Sequence, residues 1–223
     1  MSETSLILSL EIAAGWGDLD LVKHLVQHID PKANHSRALV AAVREQRQDV
    51  VEFLAPLSDV SADGFQSVFA AMDRASLPML NVLLPYWEED PSDDALLLAA
   101  VETCNPEIVR LTLPYTNPKA NGSSALKVAF ELDEPAIADL LWPLSNVQFA
   151  GDALRDEEDW SALDRMGVHA TPELQRRWLD EAPKGQLTHT EEAWRNWERA
   201  QTRSQALDQM ATAGPSVAKR PRF

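Results

Sequence analysis

Apolar residues in the first two thirds of the chain fall in short blocks with helical spacing, and the blocks come in pairs. Leu10, Ile12, Ala13 and Ala14 form one block; Gly15-Trp16-Gly17 interrupts it, and Leu19, Leu21, Val22, Leu25 and Val26 restart the spacing. The next pair places Leu39, Ala42 and Val43 before Val50, Val51, Phe53 and Leu54, with Ser36 as the expected N-cap and Pro56 as the stop. A third pair runs from Phe65, Val68, Ala71 and Met72 to Leu77, Met79, Leu80, Leu83 and Leu84. The fourth starts at an expected N-cap, Asp94, with Leu97, Ala100 and Val101, and reopens at Pro106-Glu107. The fifth joins Ser123, Leu126, Ala129 and Phe130 to Pro135, Ile137, Leu140, Leu141 and Trp142. Each pair predicts two short antiparallel helices, and no segment alternates at period two.

The pairs share one period. Ala13, Ala42, Ala71, Ala100 and Ala129 stand 29 residues apart, as do Leu10, Leu39, Val68, Leu97 and Leu126. Two further columns read Val22, Val51, Leu80, Val109, Ala138 and Leu25, Leu54, Leu83, Thr112, Leu141. Pro56, Pro85, Pro114 and Pro143 keep the same interval. With 14 prolines in 223 residues, three further hits on one period arise by chance only about twice in 10,000 trials for each starting proline. A fixed period of this length marks a stacked array in which each unit packs on its neighbours. Alanine then fits where helix backbones approach most closely, and leucine fills the wider gaps.

After Trp142 the period fails. Ala153 and Leu154 start a further block, but Asp156, Glu157, Glu158 and Asp159 fall where the earlier units carry buried residues, and Trp160, Leu163 and Met166 follow. This reads as a polar-faced cap closing the array, over residues 150–182, with Thr171-Pro172-Glu173 starting its last helix. Pro183-Lys184-Gly185-Gln186 is a linker, and Thr188 or Thr190 caps an extra helix over 188–211 whose stripe of Ala193, Trp194, Trp197, Ala200, Leu207 and Met210 is sparse. That helix either packs its tryptophans on the end of the array or waits for a partner. Residues 212–223 are expected to be a disordered basic tail, with Lys219-Arg220-Pro221-Arg222 as its cluster.

Two runs, Leu10-Glu11-Ile12-Ala13-Ala14-Gly15-Trp16-Gly17-Asp18-Leu19-Asp20-Leu21-Val22-Lys23-His24-Leu25-Val26 and Ala38-Leu39 through Ala42 with Val50-Val51-Glu52-Phe53-Leu54, resemble ankyrin repeats. The connectors Asp30-Pro31-Lys32-Ala33 and Asn117-Pro118-Lys119-Ala120 are similar to those of short bacterial-type ankyrin arrays. The resemblance covers residues 5–149. It implies an all-α fold: an ankyrin-type helical solenoid of about five two-helix repeats, followed by the helical cap and the extra helix. The Thr-Pro of the usual 33-residue unit is absent, the turn glycine survives only as Gly17, and the shorter unit implies that the projecting hairpins shrink to tight turns. Carried over position by position, the partner-binding face at the ends of the first helices would comprise Trp16, Arg44, Glu45, Asp73, Arg74, Glu102, Thr103, Glu131 and Leu132, with Asn34, Asp63, Ser92 and Asn121 at the turns. Trp16 is the expected hot spot, unless it folds back over the first repeat.

Charge sharpens this picture. The net charge is -15, and residues 1–150 carry 22 acids against 9 bases while the remainder holds 13 against 11. Such a field disfavours nucleic acid and anionic membranes and favours a basic-surfaced protein. The one cysteine, Cys104, allows no internal disulfide and suits a reducing compartment. No signal peptide or membrane span is legible, so a cytoplasmic location is expected, with secretion as an effector left open. His24 and His28 share a helix face but have no third ligand at a suitable spacing, so neither a metal nor a cofactor is expected. Glu88-Glu89-Asp90 with Asp93-Asp94 reads as a solvated turn. No nucleophile, phosphate-binding or zinc-protease motif occurs. The expectation is a non-enzymatic, monomeric protein that recognises another protein through the concave face of the helical array. Two alternatives stay open: a stoichiometric inhibitor, an immunity protein or effector, of a basic-surfaced enzyme, and an enzyme with its site at Asp159, Trp160, Arg176, Arg177 and Trp178.

Overall fold

All five predicted pairs form. A computed structural model describes residues 3–87 and 94–212, and among these every regular element is helical. The pairs are α1 (Glu3–Trp16) with α2 (Leu19–Leu25), α3 (Ala33–Arg44) with α4 (Gln48–Leu54), α5 (Ala62–Asp73) with α6 (Leu77–Leu83), α7 (Ala95–Glu102) with α8 (Pro106–Thr112), and α9 (Ser124–Glu131) with α10 (Pro135–Leu141). The acidic run at 88–90 and 93, Ser92, and the basic tail from residue 213 onward lie outside the described residues. No described helix is long and apolar enough to cross a membrane.

Packing follows the sequence period. First helices pack on first helices, α1 on α3, α3 on α5, α5 on α7 and α7 on α9, while second helices pack in the parallel series α2, α4, α6, α8, α10. All twenty residues of the four 29-residue columns are buried, including Thr112, whose hydroxyl is satisfied by donating to the Val109 carbonyl at 3.0 Å. The column prolines refine the expected stop: Pro56, Pro85, Pro114 and Pro143 each sit inside a 3-10 turn (Ala55–Leu57, Leu84–Tyr86, Leu113–Tyr115, Trp142–Leu144) that tightens the second helix before it ends.

The turn inside each pair is a backbone device, and it survives without glycine. Gly17, Gln46, Ala75, Cys104 and Asp133 adopt φ of 83°, 57°, 49°, 52° and 58°, at strict 29-residue intervals. The next residue's amide reaches back to the alanine column: Asp18 donates to Ala13 at 3.1 Å, Arg47 to Ala42 at 2.9 Å, Ser76 to Ala71 at 2.9 Å and Glu134 to Ala129 at 2.9 Å. This is the helix-ending motif that satisfies otherwise orphaned carbonyls. A left-handed non-glycine residue costs about 1–2 kcal/mol, which these bonds and the stacking offset. The sequence expectation that the turn survives only at Gly17 is therefore corrected.

Connectors between pairs are also patterned. Asn34, His35 and Ser36 have positive φ, and so do Asn121, Gly122 and Ser123, one triple 87 residues after the other. Ser36 and Ser123, expected as N-caps, make no capping bond to their own helices; the buried Ser36 hydroxyl accepts from the Asp59 amide at 2.9 Å, and Ser123 accepts from Asn146 at 2.7 Å. Each serine thus holds the connector of the following pair. Asp94 likewise does not cap with its side chain. Its buried carboxylate accepts from Asn121 Nδ2 at 2.7 Å and from the Ser124 hydroxyl, again in the next connector.

The chain divides into two compact units, Met1–Ala150 and Gly151–Phe223. Helices α11 (Val147–Asp156), α12 (Trp160–Gly167), α13 (Pro172–Glu181) and α14 (Thr188–Thr212) follow the pairs. The α11–α12 turn repeats the earlier ones at a shorter interval. Glu158 takes φ of 59°, 25 residues after Asp133, and Asp159 N-H donates to the Leu154 carbonyl at 2.9 Å. Asp159 then caps α12 through the Ala162 amide at 3.0 Å, as Asp18 caps α2. Asp156, Glu157 and Glu158 are exposed turn residues, not occupants of buried positions as the fixed 29-residue register had implied. The buried positions are Ala150, Gly151 and Leu154.

Within the second unit Trp178 is fully buried, and its ring lies where a Cβ on Gly151 would stand, 2.1 Å from Cζ2. Gly151 is required by that close approach. Thr171 caps α13 as expected, accepting from Leu174 at 3.5 Å. α14 packs on α12 and α13, and from Arg195 to Asp208 every residue is exposed, Trp197 and Leu207 included.

Candidate functional site

Because each first helix ends in the same left-handed turn, the two residues before that turn fall at equivalent places in every pair. These are the positions read from the sequence as partner-binding. Trp16 is 76% exposed, so it does not fold back over its own repeat. Arg44, Glu45, Asp73, Arg74, Glu102 and Leu132 are exposed, and Thr103 and Glu131 are half-buried.

Some of them are already engaged. Arg44 Nη2 donates to Gln66 Oε1 at 3.1 Å, which links α3 to α5. Glu131 pairs with Lys127 at 3.3 Å. The Thr103 hydroxyl donates to the Ala100 carbonyl at 2.6 Å and accepts from the Asn105 amide at 3.3 Å, a local turn role. Asn121 is held by Asp94. Asp73 and Glu102, in contrast, take no ion pair or side-chain hydrogen bond among the described residues.

Three hollows run along these helix ends. One of about 150 Å³ lies among Arg37, Ala41, Arg44, Glu45 and Gln66. The second, about 290 Å³, shares Arg44 and Gln66 with it and adds Phe69, Asp73 and Arg74. The third, about 660 Å³, shares Phe69 and Asp73 with the second and opens to Met72, Ala99, Glu102, Thr103 and Ile108. Six of the nine expected residues, Arg44, Glu45, Asp73, Arg74, Glu102 and Thr103, line this run; Trp16, Glu131 and Leu132 do not. Gln66, Phe69 and the buried floor of Met72 and Ile108 were not foreseen. The largest hollow combines that apolar floor with two carboxylates and no basic residue in its wall, within the size range of ligand-binding clefts. It can seat an apolar stem ending in a positive charge.

Beside the turn of α7, the exposed Cys104 thiol is pushed up by desolvation and by the neighbouring Glu134 carboxylate, which disfavours the thiolate. His24 and His28 stack edge to face at 5.4 Å, and among the described residues no group of three ligating side chains could hold a metal ion.

In the second unit, the residues proposed for an enzymatic alternative have structural partners. Asp159 is a helix cap and Trp178 is core, its indole N-H donating to Asp152 at 3.4 Å. Arg177 binds Asp152 at 2.9 Å and Glu181 at 3.3 Å. Arg155 bonds Glu181 and holds its carboxyl below the usual range, with Arg177 adding to the effect. Arg176 lies over the Trp194 ring at 6.0 Å, beside a hollow of about 470 Å³ that also meets Leu179, Pro183 and Lys184. Asp164 on α12 is a long-range cap for α14: it accepts from the Thr190 amide at 2.8 Å, the Thr190 hydroxyl at 2.9 Å and the His189 amide at 3.1 Å, and meets His189 Nδ1 at 2.7 Å. Burial alone would raise its pKa, but those four contacts outweigh it and hold the carboxyl below its ordinary value.

No protein-family model matches this chain, and no curated protein matches it.

Proposed function

We propose that residues 5–149 form an ankyrin-type solenoid that binds another protein along the ends of its first helices, and that the partner presents a basic surface. Support for the solenoid comes from the separate packing series of first and second helices and from the left-handed turn at 29-residue intervals. One observation carries the functional reading: the hollow of about 660 Å³ between α5 and α7, with an apolar floor and the unpaired carboxylates of Asp73 and Glu102 on its rim. A lysine or arginine of the partner, its stem on Phe69 and Met72 and its charge at the two carboxylates, satisfies both halves of that chemistry. The net charge of -15 supplies long-range attraction for such a partner. The single cysteine suits a reducing compartment, and we place the protein in the cytoplasm.

The test is capture from the source cell with Asp73→Lys, Glu102→Lys and their combination, against Lys23→Glu and Glu52→Lys on the second helices as controls. The reading expects a partner retained by wild type and controls and lost by the double variant. A partner retained by Asp73→Lys/Glu102→Lys but lost by Lys23→Glu or Glu52→Lys would put the site on the opposite side.

A further inference from the structure

The first pair is built unlike an end. Gly15 and Glu11 of α1 face α3, where a Cβ on Gly15 would stand 3.8 Å from both Ala41 Cβ and Glu45 Cγ, and Arg37 meets Glu11 at 3.6 Å. The α3 positions turned toward the preceding pair are therefore Arg37, Ala41 and Glu45. Moved back by one period, the same positions on α1 are Leu8, Ile12 and Trp16. They are 55%, 42% and 76% exposed and lie at i, i+4 and i+8 on one helix face.

The second helix repeats the message. Val50, Met79, Ile108 and Ile137 occupy one column and are at most 3% exposed, while Leu21, their counterpart in the first pair, is 40% exposed. Inner pairs carry charge at the edges of this face, Arg37 with Glu45 in one and Arg74 in the next. The first pair replaces that charge with Leu8 and Trp16. A terminal unit whose outer face meets only water has the opposite composition, polar outside. Around the stripe, α1 offers Thr4, Ser5 and Ser9, so the face is free of charge in a chain where 25% of residues are charged.

We infer that α1 and Leu21 form a self-docking surface, and that its occupant is the same face of a second copy of this chain. The occupant must present a stacking face of the kind each pair already offers its neighbour, since this surface continues the inter-pair interface repeated from α1 to α10. A second first pair does so. Leu8, Ile12 and Trp16 are spaced evenly about Ile12, so a two-fold axis through Ile12 brings Leu8 of each copy onto Trp16 of the other in an antiparallel pair of α1 helices. Uncharged Thr4, Ser5 and Ser9 let two acidic chains approach there without local repulsion. None of the residues around the hollow at Asp73 and Glu102 belongs to this face, so the pairing is independent of the function proposed above. It replaces the monomer expected from the sequence.

Sedimentation velocity of the full chain across the micromolar range tests this. Wild type should sediment as a species of twice 24.8 kDa that dissociates on dilution, and Ile12→Glu should shift it to the single-chain mass with an unchanged far-ultraviolet circular dichroism spectrum. Tyr115→Glu, at an exposed aromatic elsewhere, should leave the dimer intact. Should Ile12→Glu disturb folding, Ile12→Cys in a Cys104→Ser background decides the matter, because two cysteines on the axis cross-link the copies on mild oxidation. A single-chain mass for wild type at every concentration overturns the inference, whether the face then proves to be covered by another protein or by nothing. So does a dimer that survives Ile12→Glu, or one that gives no cross-link through Ile12→Cys.

Discussion

Asn at position 164 would keep the shape of the Asp164 side chain and remove what it does. The carboxylate takes two contacts on each oxygen, Thr190 N-H and O-H on Oδ1 and the His189 amide and ring on Oδ2. An asparagine can serve the Thr190 side with its oxygen, but its NH2 group then faces the His189 N-H, donor against donor, at a site where Asp164 is only 5% exposed. Hydrogen bonds to a charged group contribute about 1.5–3 kcal/mol and a stranded buried donor costs about 1–3, so Asp164→Asn should weaken the docking of α14 by about 3 kcal/mol. Amide exchange reads this locally. At about 1.4 kcal/mol per factor of ten, protected amides at the start of α14 should exchange roughly a hundredfold faster, while those of α3 and α9 stay unchanged. The pH dependence carries the same sign. The folded-state pKa is depressed, so this group's contribution is complete above the ordinary carboxyl range and disappears as the pH falls through the depressed value. The asparagine variant should lack that acid-side loss. Equal exchange in α14 for wild type and variant, with superimposable acid limbs, would refute the assignment of Asp164 as its anchor.

Ala75→Gly should raise stability in urea by about 1 kcal/mol, because it removes a Cβ from a left-handed residue whose position is fixed by the Ala71 carbonyl. Gly17→Ala should do the reverse, since φ is 83° and the new Cβ meets Arg47 Cδ at 2.8 Å. Gly151→Ala drives a methyl into the buried Trp178 ring and should cost about 1–3 kcal/mol in chemical denaturation, with the penalty reduced when Trp178→Leu is made alongside. Leu97→Ala, fully buried in the middle of the packing series, should cost about 2–5 kcal/mol and broaden the denaturation curve, as expected where units couple only to their neighbours. Asp73→Lys and Glu102→Lys should slow association with the partner more at low salt than at high, while leaving the melting temperature nearly unchanged.

What could be read from the sequence was whatever side-chain volume encodes. The alanine and leucine columns, the helix pairs and the Pro172 start of α13 are all carried by residue type at a fixed spacing. The turn could not be read that way, because Gln46, Ala75, Cys104 and Asp133 share no side-chain property; their conformation is set by backbone bonds to the alanine carbonyls. The α11–α12 turn was misplaced for a related reason. Helix α11 follows Ser145 without the left-handed triple that precedes α9, so a register kept at 29 residues slides off by four and assigns acids to the interior. At the candidate site, the helix-end positions followed from their offset to the turn. The hollow did not, since it depends on how α5 lies against α7 and on Phe69, whose counterparts in other pairs are Glu11, Val40, Leu98 and Lys127.

Helix α14 also fixes a length. Its contacts with α12 and α13 and the Asp164 cap hold only its first turns, and Arg195 onward is bare. At 1.5 Å per residue, the stretch from Trp194 to Thr212 reaches about 27 Å. A flexible linker of the same number of residues would let its far end wander back to the anchor, whereas a rod does not. α14 therefore acts as an outrigger. Anything joined beyond Thr212 is carried a helix-length away from the second unit and swings only as far as the anchor at Asp164 yields.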